Sequence, residues 1–240
     1  MTEILLFSLF TACGVLVGTV VGFAGALVAV PFILLFLSPK IAVPAYSLVT
    51  ILTNLVVVYE ARRHLHWQRI TVLSMAGVAG TLIGAWSLAY LHTGVIQIIV
   101  SVVTLSFGLL FLSKMPIRLP EGRAIDAVFG LLSGWLGGII SQGGPPAVFL
   151  ALARGWGKET FRVHLMAYFF VINAISVLAY WYLGMYNARG ITLSAAALVP
   201  VILMTTLGIW IKNRVDEQRF RTTVLVMVVL VGLAGIVLHK

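Results

Sequence analysis

Two short interruptions in otherwise apolar sequence carry most of the chemistry this chain offers. Gly22-Phe23-Ala24-Gly25-Ala26 breaks one long apolar run, and Ser141-Gln142-Gly143-Gly144-Pro145-Pro146 breaks another. Glycine and proline end helices because glycine costs propensity and proline removes an amide donor. A helix that restarts after such a break presents free backbone amides at its new N-terminus, where the aligned peptide dipoles favour an anion. Glycine also lets the backbone approach a ligand closely. Gly22, Gly25, Ala26, Ser141, Gln142, Gly143 and Gly144 are therefore candidate substrate contacts, with Ser141 and Gln142 adding side-chain hydrogen bonds.

Asn54 and Asn173 extend the set. Each lies in an apolar segment, where an unpaired amide is costly and needs a partner. They either bind substrate or brace the broken turns. Thr50, Thr53 and Tyr168 lie about one helical turn from them and can share that face. Arg162 and His164 read as boundary residues that draw anions towards an entrance, with a proton-linked His164 as the alternative.

Other chemistries find little support. His64 and His66 are spaced i,i+2, which does not converge on one point of a helix, and no third ligand is near. No metal or cofactor is expected. The seven acidic residues are Glu3, Glu60, Glu121, Asp126, Glu159, Asp216 and Glu217, all near the ends of apolar runs or between them. A carboxylate relay or an acidic cation site is thus poorly supported. The phosphate-cradling Gly-Lys-Ser/Thr signature, H-E-x-x-H and the Gly-x-Ser-x-Gly elbow are missing from the sequence. Catalysis is not expected. Cys13 stands alone and reads as a helix residue. Glu3, with no basic residue ahead of the first apolar run, argues against a cleaved signal.

The elements that hold these residues are membrane helices. Of 240 residues, 61% are hydrophobic and 10% charged, far from the roughly 45–50% and 25% of soluble domains. Apolar runs fall at 4–37, 43–61, 70–91, 94–113, 125–153, 163–183, 192–211 and 222–238. A crossing needs roughly 20 residues, so the runs at 4–37 and 125–153 read as broken hairpins among six full spans. If the hairpin arms also span, the count becomes ten with the same parity.

The halves echo each other. Gly14, Gly18 and Gly22 match Gly130, Gly134 and Gly138. Pro31 matches Pro146, the stretch 81–86 matches 205–210, and Asn54 matches Asn173. The chain divides into a repeat at 1–113, a cytoplasmic linker at 114–123 and a second repeat at 124–240. Gly14, Gly18, Gly130 and Gly134 read as helix-packing positions.

Charge then sets topology. With both hairpins entering and returning, the loops 62–69, 114–123, 154–162 and 212–221 share one side. They hold 13 of the 16 Lys and Arg, leaving Lys40, Arg189 and Lys240 opposite. That arrangement follows the positive-inside bias and places both termini outside. It also inverts one repeat relative to the other. The net charge of +9 becomes a label of orientation rather than a nucleic-acid footprint. Inverted repeats with discontinuous helices are a transporter architecture.

Several of these segments together resemble one family. They are Gly134-Trp135-Leu136-Gly137, Gly143-Gly144-Pro145-Pro146, Lys158, Phe161-Arg162 and Asn173, with Gly22-Phe23-Ala24-Gly25-Ala26 and Pro31 in the first half. The chain resembles the TauE/SafE sulfite exporter family along nearly its whole length, with Ala24 and Ala26 where the family favours glycine. The resemblance implies an inner-membrane permease for small sulfur-containing anions such as sulfite or organosulfonates. With no buried carboxylate to couple to, efflux along the gradient and the membrane potential is the expected mode. Backbone carbonyls at the same breaks also suit Na⁺, so import of organosulfonates coupled to H⁺ or Na⁺ stays open. So does a role as a membrane assembly subunit, and so does homo-oligomerisation.

Overall fold

The computed structural model describes residues 1–112, 118–211 and 214. Nine α-helices follow one another among these: α1 Thr2–Val21, α2 Gly25–Ile33, α3 Pro39–Ala61, α4 Thr71–Tyr90, α5 Thr93–Leu112, α6 Arg123–Ile140, α7 Gly144–Ala153, α8 Lys158–Tyr182 and α9 Ala188–Ile211. Short 3₁₀ turns at Arg62–His64 and Trp67–Arg69 join α3 to α4. No strand occurs among the described residues. The expected last span at 222–238, most of the basic loop 212–221 and part of the linker 114–123 lie outside the described residues.

Seven of the helices are long and apolar enough to cross a membrane, and α1 and α6 are among them. The long arm of each broken run therefore reaches spanning length, with 20 and 18 residues. The short arms α2 and α7, with 9 and 10 residues, do not. Large apolar side chains such as Leu9, Met75, Leu82, Val199 and Leu203 face outward. For a lipid-embedded chain this is the favoured arrangement, since the surroundings are as apolar as the core.

Both breaks form where expected, and their backbones show why. α1 ends on Gly22 in the left-handed region, φ 85, whose amide donates back to Gly18 O at 2.8 Å. Ala24 is also left-handed, φ 69, and the chain then doubles back as α2 along α1. The close approach needs glycine: a Cβ on Gly14 would lie 2.6 Å from both Gly25 O and Ala29 Cβ. Phe10 stacks on Phe32 at 4.9 Å farther along the same hairpin. The second break is built similarly. Ser141 is left-handed at φ 56, its amide donates to Gly137 O, and Gln142 N–H donates to Leu136 O.

Two helix pairs frame the bundle. A Cβ on Gly130, Gly134 or Gly138 of α6 would strike the carbonyls of Leu73, Gly77 or Thr81 of α4 respectively. The matched steps of four show parallel helices in backbone contact. Similarly, α1 runs beside α9, with Gly208 on Thr19 at one end and Arg189 paired with Glu3 at 2.6 Å at the other. Lys40 Nζ donates to Ala89 O, 2.8 Å away, so Lys40 and Arg189 occupy the same end of the bundle. The opposite end carries the Arg162–Glu60 pair at 3.4 Å and the Arg154–Asp126 pair at 2.6 Å.

Candidate functional site

Between the two broken turns lies a cavity of about 110 Å³. That is room for several waters or a small anion, since one water needs roughly 10–15 Å³ by the same measure. The first turn brings Phe23, Ala24, Gly25, Ala26 and Leu27 to its wall, and the second brings Ser141 to Pro145. α3 supplies Tyr46, Thr50, Thr53 and Asn54, while α8 supplies Met166, Phe169, Ile172, Asn173 and Ser176. Segments far apart in sequence meet here because each short arm starts inside the bundle rather than at its surface.

Most candidates from the sequence lie on this wall. Gly25, Ala26, Asn54, Ser141, Gln142, Gly143, Gly144, Asn173, Thr50 and Thr53 all line it. Gly22 does not. It faces the side chain of Arg162, and a Cβ there would lie 3.5 Å from Arg162 Cγ. Tyr168 is also off the cavity. Its hydroxyl donates to Gly130 O at 3.3 Å, and its ring packs on Gly77, so it fills the seam between α4 and α6.

Arg162 and His164 belong to the end of the bundle that bears Glu60. Arg162 is only 5% exposed, and its Nη2 donates to Glu60. His164 Nε2 accepts the amide of His66, 3.2 Å away, and its Nδ1 is 2.7 Å from Thr160 O. This geometry requires the neutral tautomer with the proton on Nδ1. Through it His164 ties the turn between α3 and α4 to α8.

The two asparagines take different roles. Asn173 Nδ2 donates to Ser47 O at 3.2 Å and to Thr50 Oγ1 at 3.1 Å, so its donors are spent on α3. Asn54 makes no hydrogen bond to another described residue, although it lines the cavity. Gln142 is 1% exposed and fixed by Thr104, with Nε2 also donating to Ala26 O at 3.4 Å. It thereby links the second turn to the start of α2. Ser141 Oγ sits 2.8 Å from Ser47 Oγ and ties the same turn to α3.

The helix starts differ as well. No helical acceptor is available to the amides of Gly25, Ala26 and Leu27, and α2 has no side-chain cap. In α7 the second and third residues are Pro145 and Pro146, so Gly144 is the remaining amide donor of its first three residues. A Cβ on Gly144 would touch only Phe169 Cζ at 3.8 Å, which leaves its missing side chain as open space in the wall.

Sequence reasoning missed Tyr46. The residue is 4% exposed and lines the cavity, yet its hydroxyl has no hydrogen-bond partner among the described residues. Tyrosine in an apolar run is easily read as packing, and whether its hydroxyl meets a partner is visible only in the folded geometry.

Comparison with known proteins agrees with the motifs. A curated relative from Cupriavidus necator, described as "Probable sulfite/organosulfonate exporter TauE", is 26% identical over 176 residues, covering 71% of this chain and 68% of the relative. No solved structure matches the chain. The family described as "Sulfite exporter TauE/SafE" matches residues 6–235. With matching sequence along almost its entire length, a helical membrane architecture and glycine-rich breaks meeting at one cavity, the chain belongs to the TauE/SafE family of transporters.

Proposed function

We propose that this chain is a permease that moves small sulfur-containing anions, such as sulfite or organosulfonates, out of the cell. The observation that carries the proposal is the cavity where the start of α2, the start of α7, α3 and α8 converge. Among the described residues it offers helix-start amides at α2 with no acceptor, Asn54 and Tyr46 side chains with no hydrogen-bond partner, and an apolar wall of Phe23, Met166, Phe169 and Ile172. Backbone amides at a helix start hold an anion without a buried counter-charge. The printed description of the Cupriavidus necator relative supports the substrate class.

Inverted repeats supply the moving parts. In the proposed symmetry α1 to α4 correspond to α6 to α9. The helix pairing supports this, because α1 lies along α9 and α6 lies along α4, each long arm beside the fourth helix of the other repeat. The charge distribution supports a cell-membrane orientation with both termini outside, since Lys40 and Arg189 lie at the end opposite Arg62, Arg154 and Arg162. In this orientation the Arg162–Glu60 pair lies on the cytoplasmic side, with Arg162 packed against Gly22 of the first turn.

An inside-negative potential drives an anion outward by about 2.3 kcal/mol per charge per 100 mV. Flux in proteoliposomes holding methanesulfonate under an imposed potential tests the proposal. Efflux is expected to rise with inside-negative potential and to need no proton or Na⁺ gradient. Flux that ignored voltage but followed a proton or Na⁺ gradient would refute the uncoupled mode. Absence of sulfonate or sulfite flux under every gradient would refute the function.

A further inference from the structure

The described wall of the cavity is built of neutral groups. No Lys, Arg, His, Asp or Glu occurs among the described residues that line it. The sequence 222–238, outside the described residues, contains none either. Arg162 packs behind Gly22 of the first turn and donates to Glu60. What remains to face an anion is the start of α2, the Gly144 amide, the Asn54 side chain and the Tyr46 hydroxyl.

These groups set a limit on ligand charge. A helix N-terminus carries roughly half a positive elementary charge, and Pro145 and Pro146 leave α7 with fewer amides, so the two starts together supply at most about one. The cost of burying an ion grows steeply with its charge unless full counter-charges are present. One negative charge is matched by this wall and two are not. Resting on the reading of the cavity as the sulfonate or sulfite site, we infer that it binds singly charged sulfur oxoanions only. Organosulfonates with no second acidic group, such as methanesulfonate, and hydrogensulfite fit, while the sulfite and sulfate dianions are excluded. For sulfite, the protonated monoanion is then the species carried.

Two ligands separate this from other readings. Methanesulfonate keeps a single charge across neutral pH, whereas hydrogensulfite loses its proton there. Equilibrium binding to the purified full-length chain is measured for methanesulfonate, total sulfite and sulfate from about pH 6 to about pH 8. Methanesulfonate affinity is expected to stay level, which also controls for titration of the protein. Apparent affinity for total sulfite is expected to weaken by about tenfold per pH unit above its second ionisation. Sulfate is expected to bind at least about tenfold more weakly than methanesulfonate throughout. Sulfite affinity that stayed level or strengthened with pH, or sulfate that matched methanesulfonate, would overturn the inference and leave the transport reading intact. If neither methanesulfonate nor sulfite bound at any pH, both readings would fall together.

Discussion

Asn54 of α3 and Asn173 of α8 both line the cavity, and their exchange for alanine is expected to do opposite things. Asn173 Nδ2 makes two hydrogen bonds that join α8 to α3. A side-chain hydrogen bond between membrane helices contributes about 0.6–1 kcal/mol, so Asn173→Ala removes about 1–2 kcal/mol. The acceptors do not become orphans. Ser47 O remains within the α3 ladder, and Thr50 Oγ1 still donates to Tyr46 O at 3.0 Å. For a chain of this size about 1–2 kcal/mol corresponds to roughly 2–8 °C in Tm. Asn54 makes no such bond to a described residue, so Asn54→Ala is expected to change stability by less than about 0.5 kcal/mol. It removes a neutral donor from a bound anion, and a hydrogen bond to a charged partner contributes about 1.5–3 kcal/mol. That converts to a loss of roughly 10- to 150-fold in affinity. Thermal unfolding in detergent and methanesulfonate binding, read on both variants, give the two-way comparison. If Asn54→Ala lowered Tm as much as Asn173→Ala while binding persisted, the division into ligand donor and brace would be wrong.

Other outcomes follow from the same geometry. Gly144→Ala places a methyl group in open wall, where it meets only Phe169 Cζ at 3.8 Å, so methanesulfonate binding should fall with Tm nearly unchanged; a large Tm drop would contradict the open position. Gly134→Ala drives a methyl group into Gly77 O between α4 and α6, and overpacking of this kind costs about 1–3 kcal/mol, measurable as a lower Tm. Ala24→Gly relieves a left-handed alanine, φ 69, at a site where strain costs roughly 1–2 kcal/mol; Tm should rise by a few degrees, and a fall would show that the strain is absent. In a background lacking Cys13, Arg189→Cys should react with an impermeant thiol reagent from outside intact cells, whereas Arg63→Cys should react only after permeabilisation; the reverse pattern would invert the orientation.

What could be read from sequence divides along physical lines. The breaks at 22–26 and 141–146 were legible because glycine and proline act locally, and local conformational rules need no tertiary partner. The candidate wall was legible for the same reason, through Gly25, Gly143 and Gly144. Tyr46 was not, because the question was whether its hydroxyl would find a partner, and that depends on helices distant in sequence. The different duties of Asn54 and Asn173 were hidden similarly. Both are asparagines in apolar runs, while Ser47 O and Thr50 Oγ1 accept hydrogen bonds from Asn173 alone of the two. Position 24 shows the two levels meeting. The family favours glycine there, and the left-handed backbone gives the reason, although this chain accommodates alanine at some cost in strain.

The second hairpin sharpens how such a site discriminates its contacts. Both helix starts face the cavity, but Pro145 and Pro146 remove two amides from α7 while α2 keeps its first three. An anion placed between them is therefore drawn to the α2 side, beside Ala24, Gly25 and Ala26. Gln142 reaches that same segment through Ala26 O, a hydrogen bond that joins the second turn to the start of α2. Gln142→Leu would cut this link and leave Thr104 without its side-chain partner. If the link couples the turns, methanesulfonate exchange should slow more than equilibrium affinity falls. Equal losses in both would mean that Gln142 serves only as part of the wall.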